Sequence, residues 1–130
     1  MNQEDLLFAK THEWAAISTE DHKLVTLGLS AFAVEALTDL VYIELPEVGR
    51  QVHTEQPFCE VESVKAVSDI YAPVDGEVVA VNDALPNALE TLSKDPYGAG
   101  WIAKIRITDS AGLTRLMDHK TYQRQCAEEK

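Results

Sequence analysis

One lysine in the middle of the chain is the first candidate for chemistry. Lys65 is the only lysine between Asp39 and Asn82, and Arg50 is the only other fixed cation there. Strand-like residues precede Lys65 and resume a few positions later, which predicts that it lies near the tip of a β-turn. Its long stem and reachable amine suit it to accept and carry an acyl group. Taken alone, such a residue is more often a solubilising surface lysine.

The other reactive residue types form no known catalytic motif. Phosphate-binding glycine loops and a G-x-S-x-G nucleophile turn are absent from the sequence. The four histidines lack H-x-x-x-H spacing and are not paired with a C-x-x-C, so no metal site is expected. Cys59 and Cys126 are expected to be reduced structural thiols, because a disulfide framework would have more cysteines in a smaller chain.

The charge balance narrows the classes of partner. Eleven Lys and Arg face 22 Asp and Glu, which gives a net charge of −11. A surface of that sign repels phosphates, so neither nucleic acid nor an anionic membrane is an expected partner. Acidity can steer a chain toward basic proteins. The simpler alternative is that the acidity only keeps the chain soluble.

Length and termini indicate the domain count and the location. A chain of 130 residues suits a single domain. No apolar run approaches the roughly 20 residues of a membrane-spanning helix. The first residues are acidic and lack the pattern of a secretory or mitochondrial targeting segment. The chain therefore either works where it is made or has already lost a targeting segment, and we expect a cytoplasmic protein of bacterial type.

The elements that must position Lys65 are mostly short strands. Runs of β-forming residues, punctuated by Gly and Pro, predict strands at 24–29, 41–45, 58–64, 69–72, 77–81 and 101–107. Asp75 and Gly76 are expected to form a tight turn with positive φ. In the last strand, alternation predicts that Trp101, Ala103, Ile105 and Ile107 face inward. The pattern P-x-x-G occurs at 46–49 and 73–76, which is consistent either with coincidence or with a pseudo-twofold fold.

Helical signals are few. Ser30 is expected to cap a helix that ends at Leu37, with Phe32, Leu37 and Val34 toward the core. Helical spacing at 113–117 and a further stretch at 119–127 predict C-terminal turns packed on the outside of the sheet.

The residues around Lys65 carry a specific resemblance. Glu62–Asp69 reads E-S-V-K-A-V-S-D, and the chain resembles the H proteins of the glycine cleavage system, which are stand-alone lipoyl carriers. The similarity extends from about residue 8 to 122 in the family's order and spacing. The other matching segments are 11–14, 44–49, 73–78 and 95–101. Thr38, Pro86 and Ser93 depart from the family pattern, which affects the expected geometry of local loops but not the lysine motif.

The resemblance implies a fold and a modification. The fold would be a mainly β barrel-sandwich hybrid of the lipoyl-domain type, with two antiparallel sheets and short peripheral helices near the C-terminus. The chain would be a single carrier domain over 1–130 with its core at about 8–122. Lipoate would be amide-linked to Lys65. Glu62, Ser63, Val64 and Ala66 would be recognised by the lipoate-attaching enzymes, although Glu62 is also typical of a solvated strand edge.

The resemblance further implies a carrier rather than an enzyme, and we expect it to be monomeric. Lipoyl-Lys65 would take an aminomethyl group from P-protein, the glycine decarboxylase, and deliver it to T-protein, the aminomethyltransferase. L-protein, the dihydrolipoyl dehydrogenase, would reoxidise the arm. Two alternatives stay open. One is a relay that passes lipoyl or octanoyl groups to other lipoate-dependent complexes. The other is an unmodified protein-binding module, which the intact motif disfavours.

Three further residues match positions near a cleft where a loaded arm can rest in this family. They are His12, Glu13 and Asp69, and His12 is expected to orient Glu13. A carboxylate there could hold an ammonium group through a charge-assisted hydrogen bond. The alternative for His12 is a buried, hydrogen-bonded structural histidine. Trp14 and Trp101 are expected in the core.

Overall fold

Two antiparallel sheets enclose the core in the computed structural model, which describes residues 3–129. The strands are β1 Leu7–Phe8, β2 Glu13–Ile17, β3 Leu24–Leu29, β4 Leu40–Glu44, β5 Gln51–Val52, β6 Pro57–Ser63, β7 Val67–Tyr71, β8 Asp75–Val81, β9 Ala103–Asp109 and β10 Met117–Asp118. The helices are α1 Ala31–Leu37, α2 Glu90–Lys94, α3 Ala111–Thr114 and α4 His119–Glu129, and single 3-10 turns span Gln3–Asp5 and Leu85–Asn87.

The two sheets differ in size. The large sheet has seven strands in the order β10-β1-β2-β3-β9-β8-β5, and the small sheet has three in the order β4-β6-β7. Apolar side chains from both sheets form one buried cluster. Together with the short helices, this confirms the mainly β fold of two antiparallel sheets that the sequence predicts.

Strand β9 shows how alternation builds the core. Ala103, Ile105 and Ile107 are buried and Arg106 is exposed, as predicted. Trp101 precedes the strand and is only partly buried, and Lys104 Nζ lies 5.3 Å from the centre of its ring. The prediction that Trp101 faces the core is therefore only partly right, because β9 begins two residues later than expected.

The expected turn at Asp75 and Gly76 is wrong. Both residues lie inside β8, where Gly76 is opposite Ile107 and Val52. A Cβ on Gly76 would come within 2.3 Å of the Arg106 carbonyl oxygen, so this glycine permits close approach of two strands and does not form a turn.

The helices agree only in part with those predicted from the sequence. Ser30 caps α1 as predicted, because its Oγ accepts a hydrogen bond from Ala33 N at 3.2 Å. Val34 is the buried residue of that helix, whereas Phe32 and Leu37 are only partly buried. Met117 is not helical, since it pairs with Phe8 as part of an edge strand.

Helix α4 packs on the large sheet through aromatic side chains. The rings of Tyr122 and Phe8 stack at 4.3 Å with an interplanar angle of 4°. Trp14 is fully buried, and its Nε1 donates to the Pro96 carbonyl at 2.9 Å. Tyr97 also packs against Phe8 edge-on at 6.3 Å. The predicted placement of the C-terminal helix outside the sheet is confirmed.

Both cysteines are free thiols. Cys59 is buried in β6, and its Sγ donates to the Glu44 carbonyl oxygen at 3.0 Å. Burial raises the pKa of the Cys59 thiol to about 12. Within residues 3–129, no helix has both the length and the apolar character needed to cross a membrane.

Candidate functional site

Lys65 lies on the three-residue connection between β6 and β7, as the sequence predicts. Ser63 N donates to the Ala66 carbonyl at 2.8 Å, which closes the hairpin. The Ser63 hydroxyl is buried below the turn and accepts from Lys65 N at 3.3 Å and Ala66 N at 3.2 Å. Val64 N donates to the Asp39 carbonyl at 3.0 Å, so a neighbouring segment also holds the tip. The backbone at the lysine is therefore fixed from two directions.

The side chains of the same turn are exposed to solvent. Lys65 and Ala66 are exposed, and Val64 remains 65% exposed despite being apolar. Glu62 also points to solvent. A hairpin with a fixed backbone and a free amine can present the lysine to an enzyme that surrounds it from several sides.

The outer face of the small sheet continues from this tip and is acidic. Four exposed carboxylates form this acidic face: Glu44, Glu60, Glu62 and Asp69. Glu44 lies opposite Glu60, and Glu60 lies opposite Asp69. Like charges directly across strands destabilise a sheet. Among residues 3–129, the Arg106–Asp21 ion pair and the His12–Glu129 contact lie within 4 Å, and neither involves a residue of this face.

Apolar side chains border the acidic face. An irregularity in β4 between Leu40 and Tyr42 leaves Val41 and Tyr42 both exposed, at 49% and 51%. Val67 is opposite Glu62 and is 59% exposed. Exposed apolar groups around a charged patch are typical of a surface that contacts other proteins.

A groove of about 410 Å³ runs beside β7, between that strand, α1 and the end of α4. Its lining residues are Thr11, His12, Leu29, Phe32, Ala33, Ala36, Leu37, Val61, Ser68, Asp69, Ile70 and Glu129. We call it the resting groove. Asp69 is the third residue of β7 and lies four positions after Lys65. The groove thus brings together two of the three predicted cleft residues, His12 and Asp69.

His12 has several partners at the groove. Its Nδ1 lies 2.7 Å from the Tyr122 hydroxyl and its Nε2 lies 3.2 Å from Glu129 Oε1. The ring stacks on Phe32 at 5.0 Å. These contacts fit the structural alternative for His12, while its position on the groove wall keeps the functional role as a prediction.

Glu13 lies in a different cavity, of about 500 Å³, and Thr11 lines both spaces. The Glu13 carboxylate accepts hydrogen bonds from the Thr11 hydroxyl and from Tyr71 N. Burial raises the pKa of Glu13 to about 7. His12 does not orient Glu13, contrary to the sequence-based expectation. His12 precedes β2 with a left-handed backbone at φ 80°, and its ring nitrogens face Tyr122 and Glu129 instead.

Sequence reasoning missed the residues from the C-terminal helix. Tyr122 and Glu129 reach the groove region from a segment that carries no local motif for it. It also missed the role of Tyr97, whose hydroxyl accepts from Ala31 N at 2.9 Å at the start of α1. Across residues 3–129, no three His, Cys, Asp or Glu side chains gather as a metal site requires.

Comparison with known proteins gives one consistent result. Residues 6–129 match the family model described as "Glycine cleavage H-protein". A glycine cleavage system H protein of Rhodopirellula baltica is 52% identical over 95% of this chain and 93% of its own length. One from Thermotoga maritima is 46% identical over 94% and 96%. The crystal structure of a glycine cleavage system H protein from Mycobacterium marinum superposes with a TM-score of 0.86 at 38% identity, over 95% of this chain and 98% of that one.

Proposed function

Because the chain belongs to the glycine cleavage H-protein family, we propose that it is the lipoyl carrier of a glycine cleavage system, with lipoate amide-linked to Lys65. The observation that supports this most is the hairpin, where a fixed backbone presents an exposed lysine inside E-S-V-K-A. Bound lipoate supplies a disulfide that can be reduced and can carry a one-carbon unit. The names of the relatives favour this role over the lipoyl-relay alternative.

We assign the hairpin residues different parts in acylation. Ser63 holds the turn through its buried hydroxyl, so its contribution is geometric. Glu62 and Val64 are exposed beside the lysine and are placed to contact an attaching enzyme. Ala66 leaves space around the stem of Lys65. The carrier itself contributes no catalytic group, and we propose that it acts as a single monomeric domain.

The resting groove fits an acyl arm that ends in a cation. Most of its lining is apolar, which suits the hydrocarbon chain, while Asp69 adds a carboxylate near the open edge. A carboxylate can hold a terminal ammonium by a charge-assisted hydrogen bond. Glu13 suits this role less well, because its raised pKa leaves the carboxyl partly protonated near neutral pH. His12 would form part of the opposite wall.

The acidic face and its apolar border suit the docking of partner enzymes. We propose that P-protein, T-protein and L-protein approach this side, since each must reach Lys65. Clustered carboxylates without internal cationic partners favour basic surfaces. The affinity for T-protein should then fall as salt rises, because exposed charges are screened over about 8–10 Å at physiological ionic strength. An affinity independent of salt, measured by titration calorimetry, would contradict steering. The cytoplasmic location stays a prediction.

The decisive experiment is acylation of wild type and Lys65→Arg by a lipoate ligase. Arginine keeps the charge but is a far poorer nucleophile toward an activated acyl donor. Intact mass and peptide mapping should show one lipoyl group on Lys65 in wild type and none in the variant. Lys94→Arg, an exposed lysine on α2, is the matched control and should be acylated like wild type. Acylation of another lysine in Lys65→Arg would refute the assignment.

A further inference from the structure

A hydrogen-bonded chain of side chains joins α4 to both walls of the resting groove. The Tyr122 hydroxyl lies 2.6 Å from Ser30 Oγ and 2.7 Å from His12 Nδ1. Ser30 caps α1, which forms one wall, and His12 Nε2 lies 3.2 Å from Glu129 Oε1. Tyr122 itself is not among the lining residues. Ser30 N also donates to the His12 carbonyl at 2.9 Å, so the two backbones are joined directly, and the phenol oxygen adds the link between the Ser30 and His12 side chains from behind the groove.

The backbone and the ring of His12 are held by different contacts. Its φ of 80° lies in the left-handed region, which residues other than glycine adopt at a cost. Such a conformation persists only where surrounding contacts fix it. The His12 backbone is fixed by bonds from its N–H to the Ala9 carbonyl at 3.0 Å and from Ser30 N to its carbonyl at 2.9 Å. The bond to Tyr122 instead fixes the imidazole ring, on which Phe32 stacks. Loss of the bond should therefore alter the groove wall itself.

The ring of Tyr122 is held independently of its hydroxyl. It is buried and stacks on Phe8, which is also fully buried. Burial keeps the pKa of Tyr122 well above its usual value, so the hydroxyl stays protonated and can donate one hydrogen bond and accept another. A phenylalanine at this position can keep the packing while it removes both bonds.

From these contacts we propose that Tyr122 is a positioning residue for the acylated arm, which sets the shape of the resting groove through Ser30 and His12. This inference rests on the proposed function, since the groove needs an acyl chain on Lys65 to act on. The ligand we propose is the hydrocarbon part of the acyl chain on Lys65, because α1 gives the groove an apolar wall of Phe32, Ala33, Ala36 and Leu37. Tyr122 does not line the groove, so it would touch neither the acyl chain nor the terminal group of that chain. Its effect on the arm is therefore indirect.

The test compares octanoylated and unmodified protein, prepared with a lipoate ligase and verified by mass at Lys65. A chain that rests in the groove stabilises the folded state, so octanoylation should raise the Tm of wild type. In Tyr122→Phe that rise should fall by about half or more. A merely structural role would lower the Tm of both forms equally and leave the rise unchanged. Tyr42→Phe, on the outer face of the small sheet, is the control and should keep the full rise.

A double variant tests whether Tyr122 and His12 act through the same hydrogen-bonded connection. His12→Asn removes the ring but tolerates the positive φ. The rise in Tm on octanoylation should be as small in His12→Asn with Tyr122→Phe as in either single variant, because both interrupt the same connection. An unchanged rise in Tyr122→Phe, or additive losses, would overturn the proposal. Acylation of wild type at Lys65 without any rise in Tm would also overturn it while the carrier role stands, and absence of acylation would refute the carrier role itself.

Discussion

The lysine hairpin and the wall of the resting groove are held in place by different means. The lysine hairpin, residues 63–67, is fixed by backbone hydrogen bonds and one buried serine hydroxyl, all within a few residues along the chain or to Asp39. The groove wall formed by His12 and Phe32, here called the receiving wall, is fixed by side chains from distant parts of the sequence, since His12 and Tyr122 are separated by 110 positions. The hairpin, which we call the presenting side, leaves the side chains of Val64, Lys65 and Ala66 in solvent. The receiving wall instead holds the His12 ring through contacts with other side chains.

This difference separates two requirements of a carrier. The lysine must be reachable by several enzymes, so its side chain cannot be engaged by its own domain. The groove must keep a defined shape, so its wall needs many tertiary contacts, including the stack of His12 on Phe32. Changes at the hairpin should therefore affect acylation, and changes at the receiving wall should affect stability and the resting arm.

The largest expected change in stability concerns Glu13, the buried acid behind the receiving wall. Its folded-state pKa of about 7 exceeds the ordinary value of 4.5, so the folded protein binds the proton more tightly than the unfolded chain. This contribution to stability is fully present below pH 4.5 and is lost as pH rises toward 7. The loss amounts to about 3 kcal/mol.

Glu13→Gln should remove that dependence, because the amide mimics the protonated acid toward Thr11 and Tyr71 N. Urea unfolding between pH 5 and 8 should show that the variant gains stability relative to wild type as pH increases. Glu90→Gln, at an exposed carboxylate on α2, serves as the control and should show a constant difference. A constant difference for Glu13→Gln as well would contradict the raised pKa.

A smaller effect is expected on the presenting side, at Ser63. Ser63→Ala removes the acceptor for Lys65 N and Ala66 N, which can then turn to water. The free energy of unfolding should drop by about 1 kcal/mol. Acylation by a lipoate ligase should slow more than this loss of stability explains, since the tip is less well defined. Ser93→Ala, at an exposed helix position, should change neither quantity; equal acylation rates for all three proteins would count against a geometric role.

The smallest effect is expected at Thr38, which lies between the two sides. It follows α1 at φ 60° and ψ −145°, a region favourable mainly to glycine, and the next residue accepts the hydrogen bond from Val64 N. Thr38→Gly should raise the free energy of unfolding by up to about 1 kcal/mol, reduced by the greater freedom of glycine in the unfolded chain. Thr114→Gly in α3 should instead be destabilising. Denaturation curves in which both variants lose stability equally would show that Thr38 carries no strain.

The sequence predicts the features that depend on neighbouring residues. The lysine hairpin, the Ser30 cap and the alternation of β9 each follow from a short contiguous pattern. The Asp75-Gly76 pair was misleading because a glycine needed for close strand approach has the same sequence pattern as one needed for a turn.

The receiving wall could not be predicted in the same way. The bond between His12 and Tyr122 depends on how α4 packs on Phe8, which no local pattern specifies. Met117 shows the same limit, because it joins an edge strand only through its pairing with β1. Long-range packing decides both outcomes.

The buried Cys59 has a consequence for the redox chemistry of the arm. A protein that carries a disulfide on a mobile side chain is exposed to attack by its own thiolates, because exchange proceeds through the deprotonated sulfur. With a pKa of about 12, Cys59 is almost entirely protonated at neutral pH, and its Sγ–H is engaged by the Glu44 carbonyl. We expect the folded carrier to form no mixed disulfide between Cys59 and its own arm. Partial unfolding would expose this thiol and permit the cross-link, so an arm trapped on Cys59 would mark protein that had lost its fold.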